Sequence, residues 1–212
     1  MVELTASRVY LRDTTEFNRA IAFVDAIFGF SATLLVTTLQ MPPAEAWTDL
    51  GALLRSGLGQ QLMAFAISFA VIVGFWRTNH RVVSGMRGLD AVTLRMCFYL
   101  VALIAFIPFT TKAISEPNPE DLPLPTALYA AHVALAVLVS VGLVIAARVR
   151  GLSDDTRPLG PQIVGGLIVA GIFLASIPVA YRFGPGPAKY LWLALLVDQF
   201  VKYLKIAPRP KD

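Results

Sequence analysis

Six continuous apolar runs divide the chain, at 19–40, 58–77, 91–113, 126–147, 161–181 and 188–206. Each supplies the ~20 residues that a ~30 Å hydrocarbon core demands of a helix. A membrane strand would instead show about ten residues of alternating apolar and polar character. The pattern predicts an all-α polytopic membrane protein with six transmembrane helices. The joins are short and carry turn chemistry: "MPPAEAWTDLG" after the first run, "SEPNPEDLPLP" after the third, "RGLSDDTRPLGP" after the fourth and "RFGPGP" after the fifth. None is long enough to hold a domain, so residues 1–212 are predicted to form a single transmembrane domain that works in or at the bilayer. The two halves share span length but not pattern, which gives no support to an inverted repeat.

The first run, "RAIAFVDAIFGFSATLLVTTLQMP", is not uniformly apolar. At 100° per residue, Phe30, Thr33, Leu34 and Thr37 fall on one stripe, spaced i, i+3, i+4 and i+7. Back-bonding to the carbonyl at i−3 or i−4, or a bond to a neighbouring helix, accounts for any single threonine in such a helix. Two threonines in register with a bulky ring suggest more. Several copies of this helix around an axis would give alternating hydroxyl and apolar layers, as in a pore whose hydrophobic neck gates by dewetting. The helix would then line the pore of an oligomer.

Composition agrees with the membrane reading: 56% of residues are hydrophobic and 15% charged, against roughly a quarter charged in a soluble domain. Mean hydropathy is +0.66. The basic residues report topology. Fourteen fall in the N-terminal segment, the joins after the second and fourth spans, and the tail, and four fall on the opposite side. This asymmetry predicts that both termini are cytoplasmic and that the acidic join carrying Glu116, Glu120 and Asp121 faces out. The net charge of +4 therefore needs no nucleic-acid partner. A mixed-charge stretch precedes the first run with no small-residue cleavage site, so no cleaved leader is expected. The lone Cys97 cannot form an intrachain disulfide.

Asp25 stands off the stripe, about 140° around the helix from Phe30. A carboxylate at the bilayer centre costs about 2.5–3.5 kcal/mol, and pairing inside the protein is the usual solution. Near the cytoplasmic boundary the cost is smaller. A basic group at the end of the second span, Arg77, His80 or Arg81, is the expected partner. A helix-packing pair is the plain reading of Asp25, and a titrating proton carrier is the other.

These residues together resemble a family. Arg19-xxx-Phe23-Val24-Asp25, followed by Thr33 eight residues past the aspartate, is similar to the Arg-xxx-Phe-Ser-Asp signature of the transmembrane protein 175 family. That family comprises lysosomal and bacterial potassium channels without a P-loop filter, and this chain resembles the bacterial single-repeat subunit. Ser68, Phe69, Trp76, Asn79, His80 and Arg81 resemble the second-span pattern, and "IPFTT", ending at Thr111, resembles the end of the third. The likeness covers the N-terminal half; the second half shares only span count and length. It implies a homotetramer in which four first helices form a potassium-permeable pore, with K+ as the permeant ion and no cofactor. It places the constriction at Phe30 and the hydroxyl layer at Thr33, with Leu34 and Thr37 further along. Arg19 and Asp25 would join Trp76 and His80 in a polar network bracing the pore helix. Val24 in place of serine and Phe30 in place of isoleucine or leucine are departures. Nothing resembles a carbonyl-ring filter, so only modest selectivity is expected. A bacterial-type plasma membrane is the expected location.

Other chemistry finds little footing. His80 and His132 share no metal-ligand spacing, and no metal site or enzymatic activity is expected. "VSGMRG" lacks a nucleophile elbow. His132, within the fourth span, is expected to form interhelical hydrogen bonds. Asp198 has Lys202 at i+4, a helix-surface pair. The glycines of the fifth span are expected to permit close packing. Trp47, Tyr181, Tyr190, Trp192 and Tyr203 sit near span ends, as interfacial anchors do. The rival to a channel is a proton-coupled or facilitative small-solute transporter using Asp25 as its titrating group, and a third reading is a scaffold with no permeation.

Overall fold

A computed structural model describes residues 9–116, 122–193 and 195. Among these residues, five helical stretches are long and apolar enough to cross a membrane. They are α1 (Thr15–Leu34, continued by a 3-10 turn at Leu35–Thr38), α2 (Gly59–Ser84), α3 (Ala91–Ser115), α4 (Leu124–Val149) and α5 (Leu159–Phe183). The expected sixth span, 188–206, lies mostly outside the described residues, as do Asp198, Lys202, Tyr203, Glu120 and Asp121. Residues 185–193 are helical after a break at Gly184, whose φ of 88° suits glycine.

Local chemistry sets several helix ends. The Thr14 hydroxyl accepts from the Phe17 amide at 3.3 Å and caps α1. Asp90 caps α3 in a reciprocal box: its carboxylate accepts from the Thr93 amide at 2.9 Å, and its own amide donates to the Thr93 hydroxyl at 3.0 Å. The second span begins earlier than its apolar run suggests. A helical turn at Leu50–Leu53 leads through a wide turn, Leu54–Leu58, into α2, with Gly57 at φ 94° marking the kink. It also ends later, at Ser84, because Trp76–Arg81 are tolerated within the helix rather than stopping it.

Helix α3 lies at the centre, packed against α1, α2 and α4, while α4 also packs on α5. Phe28, Leu35, Ile67, Ile72, Leu100, Ile104, Ile107 and Tyr129 are buried in this core. Hydroxyls bind the helices together within it. Thr111 donates to the Ser68 hydroxyl at 2.7 Å, which in turn meets the Tyr129 hydroxyl at 3.0 Å. His132 bridges α4 to α3, its Nε2 donating to the Leu103 carbonyl at 2.9 Å and its Nδ1 lying 3.1 Å from the Thr110 hydroxyl. This is the interhelical role its position predicted. Trp192 is not an interfacial anchor: it is fully buried, donates to Ser176 at 2.9 Å and stacks near Phe173. Trp47, Tyr181 and Tyr190 are exposed.

One end of the bundle is tied together by loops. Tyr10–Leu11 (β1) pairs antiparallel with Gly88–Leu89 (β2), and Met86 bridges to Ser153. The Arg87 amide donates to the Leu152 carbonyl and the Asp154 amide to that of Gly85, both at 2.8 Å. Ion pairs join Arg87 to Asp154 and Arg150 to Asp90. The described parts of three basic segments, the N-terminus and the α2–α3 and α4–α5 joins, therefore share one side of the molecule.

Candidate pore face and its polar support

Two opposed stripes run along α1. Phe17, Val24, Phe28, Ser31, Leu35 and Thr38 are buried, the first two a heptad apart and the rest spaced alternately by four and three residues, and this spacing keeps one face toward α2 and α3. Phe30, Thr33, Leu34 and Thr37 all lie on the opposite face and are exposed, Phe30 at 71% and Leu34 at 45%. Phe23 is also exposed, and its ring meets Phe98 edge-on with centroids 6.1 Å apart.

Each threonine of the outer stripe donates to its own helix: Thr33 to the Phe30 carbonyl at 2.8 Å and Thr37 to the Leu34 carbonyl at 2.7 Å. The hydroxyl hydrogen is thereby directed inward, and the oxygen lone pairs are left to accept. An acceptor-only surface can ease the partial dehydration of a cation but offers nothing to an anion. The exposed large apolar residues of α4 and α5 are, by contrast, mainly aliphatic: Leu128, Leu135, Val164, Leu167, Ile168 and Leu174. Lipid contact alone does not require the mixed pattern of α1.

Asp25 is half-buried where α1 meets α2, and its partner differs from the expected basic group. The Trp76 indole N–H donates to Asp25 Oδ1 at 3.2 Å. His80, one turn further along α2, stacks on that indole with ring centroids 5.4 Å apart. The polar chain thus runs Asp25–Trp76–His80. The two arginines of the motif are placed differently. Arg19 is exposed, and Arg81 lines a separate groove on the far side of α2. Asn79 was legible only as a motif member, yet it is the most constrained of the set. It is 1% exposed, and neither side-chain amide atom has a hydrogen-bond partner among the described residues. It lines a pocket of about 330 Å³ together with Asp13, Asn18, Asp25, His80 and Ser84. Val24, in the motif's serine position, is buried in the apolar core.

No cluster of three or more histidine, cysteine or carboxylate side chains that could hold a metal occurs among the described residues.

Comparison with known proteins follows the same blocks. The model of the family described as endosomal/lysosomal potassium channel TMEM175 matches residues 19–108, which contain most of α1, all of α2 and most of α3. Over those residues the chain is similar to the TMEM175 family. A potassium channel of Streptomyces collinus is 31% identical over 137 residues, covering 62% of this chain and 61% of that protein. A potassium channel of Chamaesiphon minutus is 27% identical over 175 residues, covering 82% of this chain and 81% of the relative. The fold is that of the crystallised lysosomal potassium-selective channel TMEM175 homologue from Chamaesiphon minutus. The TM-score is 0.73 at 22% identity, over 89% of this chain and 98% of that one. The chain is an integral membrane protein of this fold.

Proposed function

We propose that the chain is one subunit of a potassium-permeable cation channel, assembled as a homotetramer around four copies of α1. The reading rests first on the outward stripe of α1, in which Phe30, Thr33, Leu34 and Thr37 are all exposed while the opposite face is buried in the subunit's own core. The names of the relatives add to it, since both are potassium channels. Phe30 forms the hydrophobic constriction, where a narrow apolar neck excludes water unless it widens. Thr33 forms the hydroxyl layer, with Leu34 and Thr37 beyond it. Selectivity for potassium is modest, because hydroxyl oxygens replace a hydration shell less completely than a carbonyl cage. The basic end faces the cytoplasm, both termini lie there, and the host membrane is a bacterial-type plasma membrane.

The test is the reversal potential of purified protein in planar bilayers under a potassium–sodium gradient, wild type against Thr33→Ala. The reading expects a potassium-biased reversal that moves toward zero in the variant. It also expects Phe30→Ala to raise unitary conductance. Absence of any ohmic current in symmetric potassium would overturn it. Asp25→Asn is expected to leave permeation intact in whatever protein assembles; loss of a pH-dependent flux in fully assembled protein would instead favour the transporter.

A further inference from the structure

A groove of about 380 Å³ lies between α2, α4 and α5, remote from the α1 face, with Leu195 from the segment after α5 also on its wall. Its walls are apolar along the spans, with Val71, Phe75, Val137 and Val169 among them. Two glycines keep it open. A Cβ added at Gly74 or Gly165 would meet nothing within 4 Å, whereas one at Gly166 would fall 2.3 Å from Val141 Cγ2. Gly166 therefore brings α4 and α5 together, while its neighbour Gly165 leaves space.

Polar groups cluster at the basic end of this groove. Arg81, Arg157 and Gln162 line it there. The end of α2 and the α4–α5 join are in contact, since the Asp154 amide donates to the Gly85 carbonyl at 2.8 Å. Asp155 neutralises part of this charge through a two-pronged pair with Arg157 and a looser one with Arg148 at 3.6 Å. Arg81 is exposed and completes a net positive mouth. The first turn of α5 opens at the same point, with Pro158 in its cap position and no side-chain cap on its amides. A 25-residue helix presents positive charge there.

An apolar slot inside the membrane, ending at a cationic mouth and a bare helix N-terminus, complements a molecule with an acyl chain and an anionic head. We propose that this groove binds an anionic phospholipid from the bilayer, its phosphate against Arg81, Arg157 and the start of α5, and an acyl chain along Gly74 and Gly165. The site is independent of the pore reading, because lipid retention is measured without current.

The test is native mass spectrometry of the full chain reconstituted in nanodiscs of phosphatidylglycerol or phosphatidylcholine and released into detergent. Wild type is expected to retain phosphatidylglycerol over phosphatidylcholine. Arg81→Gln should reduce that preference about fivefold, from roughly 1 kcal/mol per basic residue near the membrane surface. Gly165→Leu should fill the slot and lower retention of both lipids. Millimolar inorganic phosphate should leave phosphatidylglycerol bound; displacement by it would identify a free-anion site and overturn the lipid assignment. Equal retention of the two lipids by wild type, or an unchanged preference in Arg81→Gln, would overturn the proposal. So would spontaneous disulfide formation between Gly165→Cys and Phe200→Cys, which would assign the groove to the chain's own C-terminal segment.

Discussion

Asp25 and Trp76 show how a carboxylate near the end of a membrane helix can be held by a neutral donor. The indole N–H donates to one carboxylate oxygen, and the adjoining polar pocket lies beside it. Replacing the donor while keeping the ring body should cost stability: Trp76→Phe is expected to lower unfolding free energy by about 1–2 kcal/mol, the scale of a hydrogen bond to a charged group. Asp25→Asn retains an oxygen acceptor and should cost less than Asp25→Ala. Chemical unfolding of the three variants in detergent orders them, and equal losses for Asp25→Asn and Asp25→Ala would remove the hydrogen bond from the account. Asn79 makes the opposite case. Its amide is buried with neither atom partnered, so Asn79→Leu should be neutral or stabilising, as replacement of an unsatisfied buried polar group usually is. A loss above about 2 kcal/mol in the same measurement would mean that the amide has a partner in the membrane-embedded protein.

Among the helices, what could be read from the sequence was set by how directly hydropathy bears on it. The apolar runs located α1, α3, α4 and α5 to within a few residues, because membrane thickness imposes both length and composition. The stripe on α1 was equally legible, since helical periodicity alone separates Phe30, Thr33, Leu34 and Thr37 from the buried Phe28, Ser31 and Leu35. The continuation of α2 to Ser84 was not, because Arg77, His80 and Arg81 read as a membrane boundary, and a helix can run on past one. The β1–β2 pair has two residues per strand, too short for any alternation to register. The glycines of α5 carried a composition signal without a direction: their environments differ one by one, and only packing tells Gly166 from Gly165. That difference is testable. Gly166→Ala drives a methyl into Val141, whose branched side chain has little rotamer freedom to yield, and should cost about 1–3 kcal/mol of overpacking. Gly165→Ala should cost little, and Val141→Ala should rescue Gly166→Ala. Thermal unfolding of the single and double variants checks the coupling.

At the scale of the molecule, the tied loops make one end of the bundle dependent on carboxylates that must remain ionised. Burial of Asp90 pushes its pKa up, but the Thr93 bonds and the Arg150 guanidinium outweigh it and hold the carboxyl below its usual range. Asp155 is also held well below that range, chiefly by its hydrogen bonds from Arg157, and Asp154 by Arg87. A carboxyl whose folded pKa is depressed adds stability that is fully present above its unfolded pKa and is lost as pH falls toward the folded value. The unfolding midpoint should therefore be level from neutral pH to about 5 and decline below about pH 4, where free aspartate begins to protonate. Asp90 links three elements, capping α3, following β2 and pairing with the end of α4. Asp90→Ala should thus lower stability at neutral pH by about 1 kcal/mol for the cap alone, with a further loss from the abandoned Arg150. Asp90→Asn retains a capping oxygen but cannot ionise, so its midpoint should lie below that of wild type at pH 7 and approach it near pH 3. Parallel acid profiles for wild type and Asp90→Asn would show that the loops at the basic end do not depend on this charge.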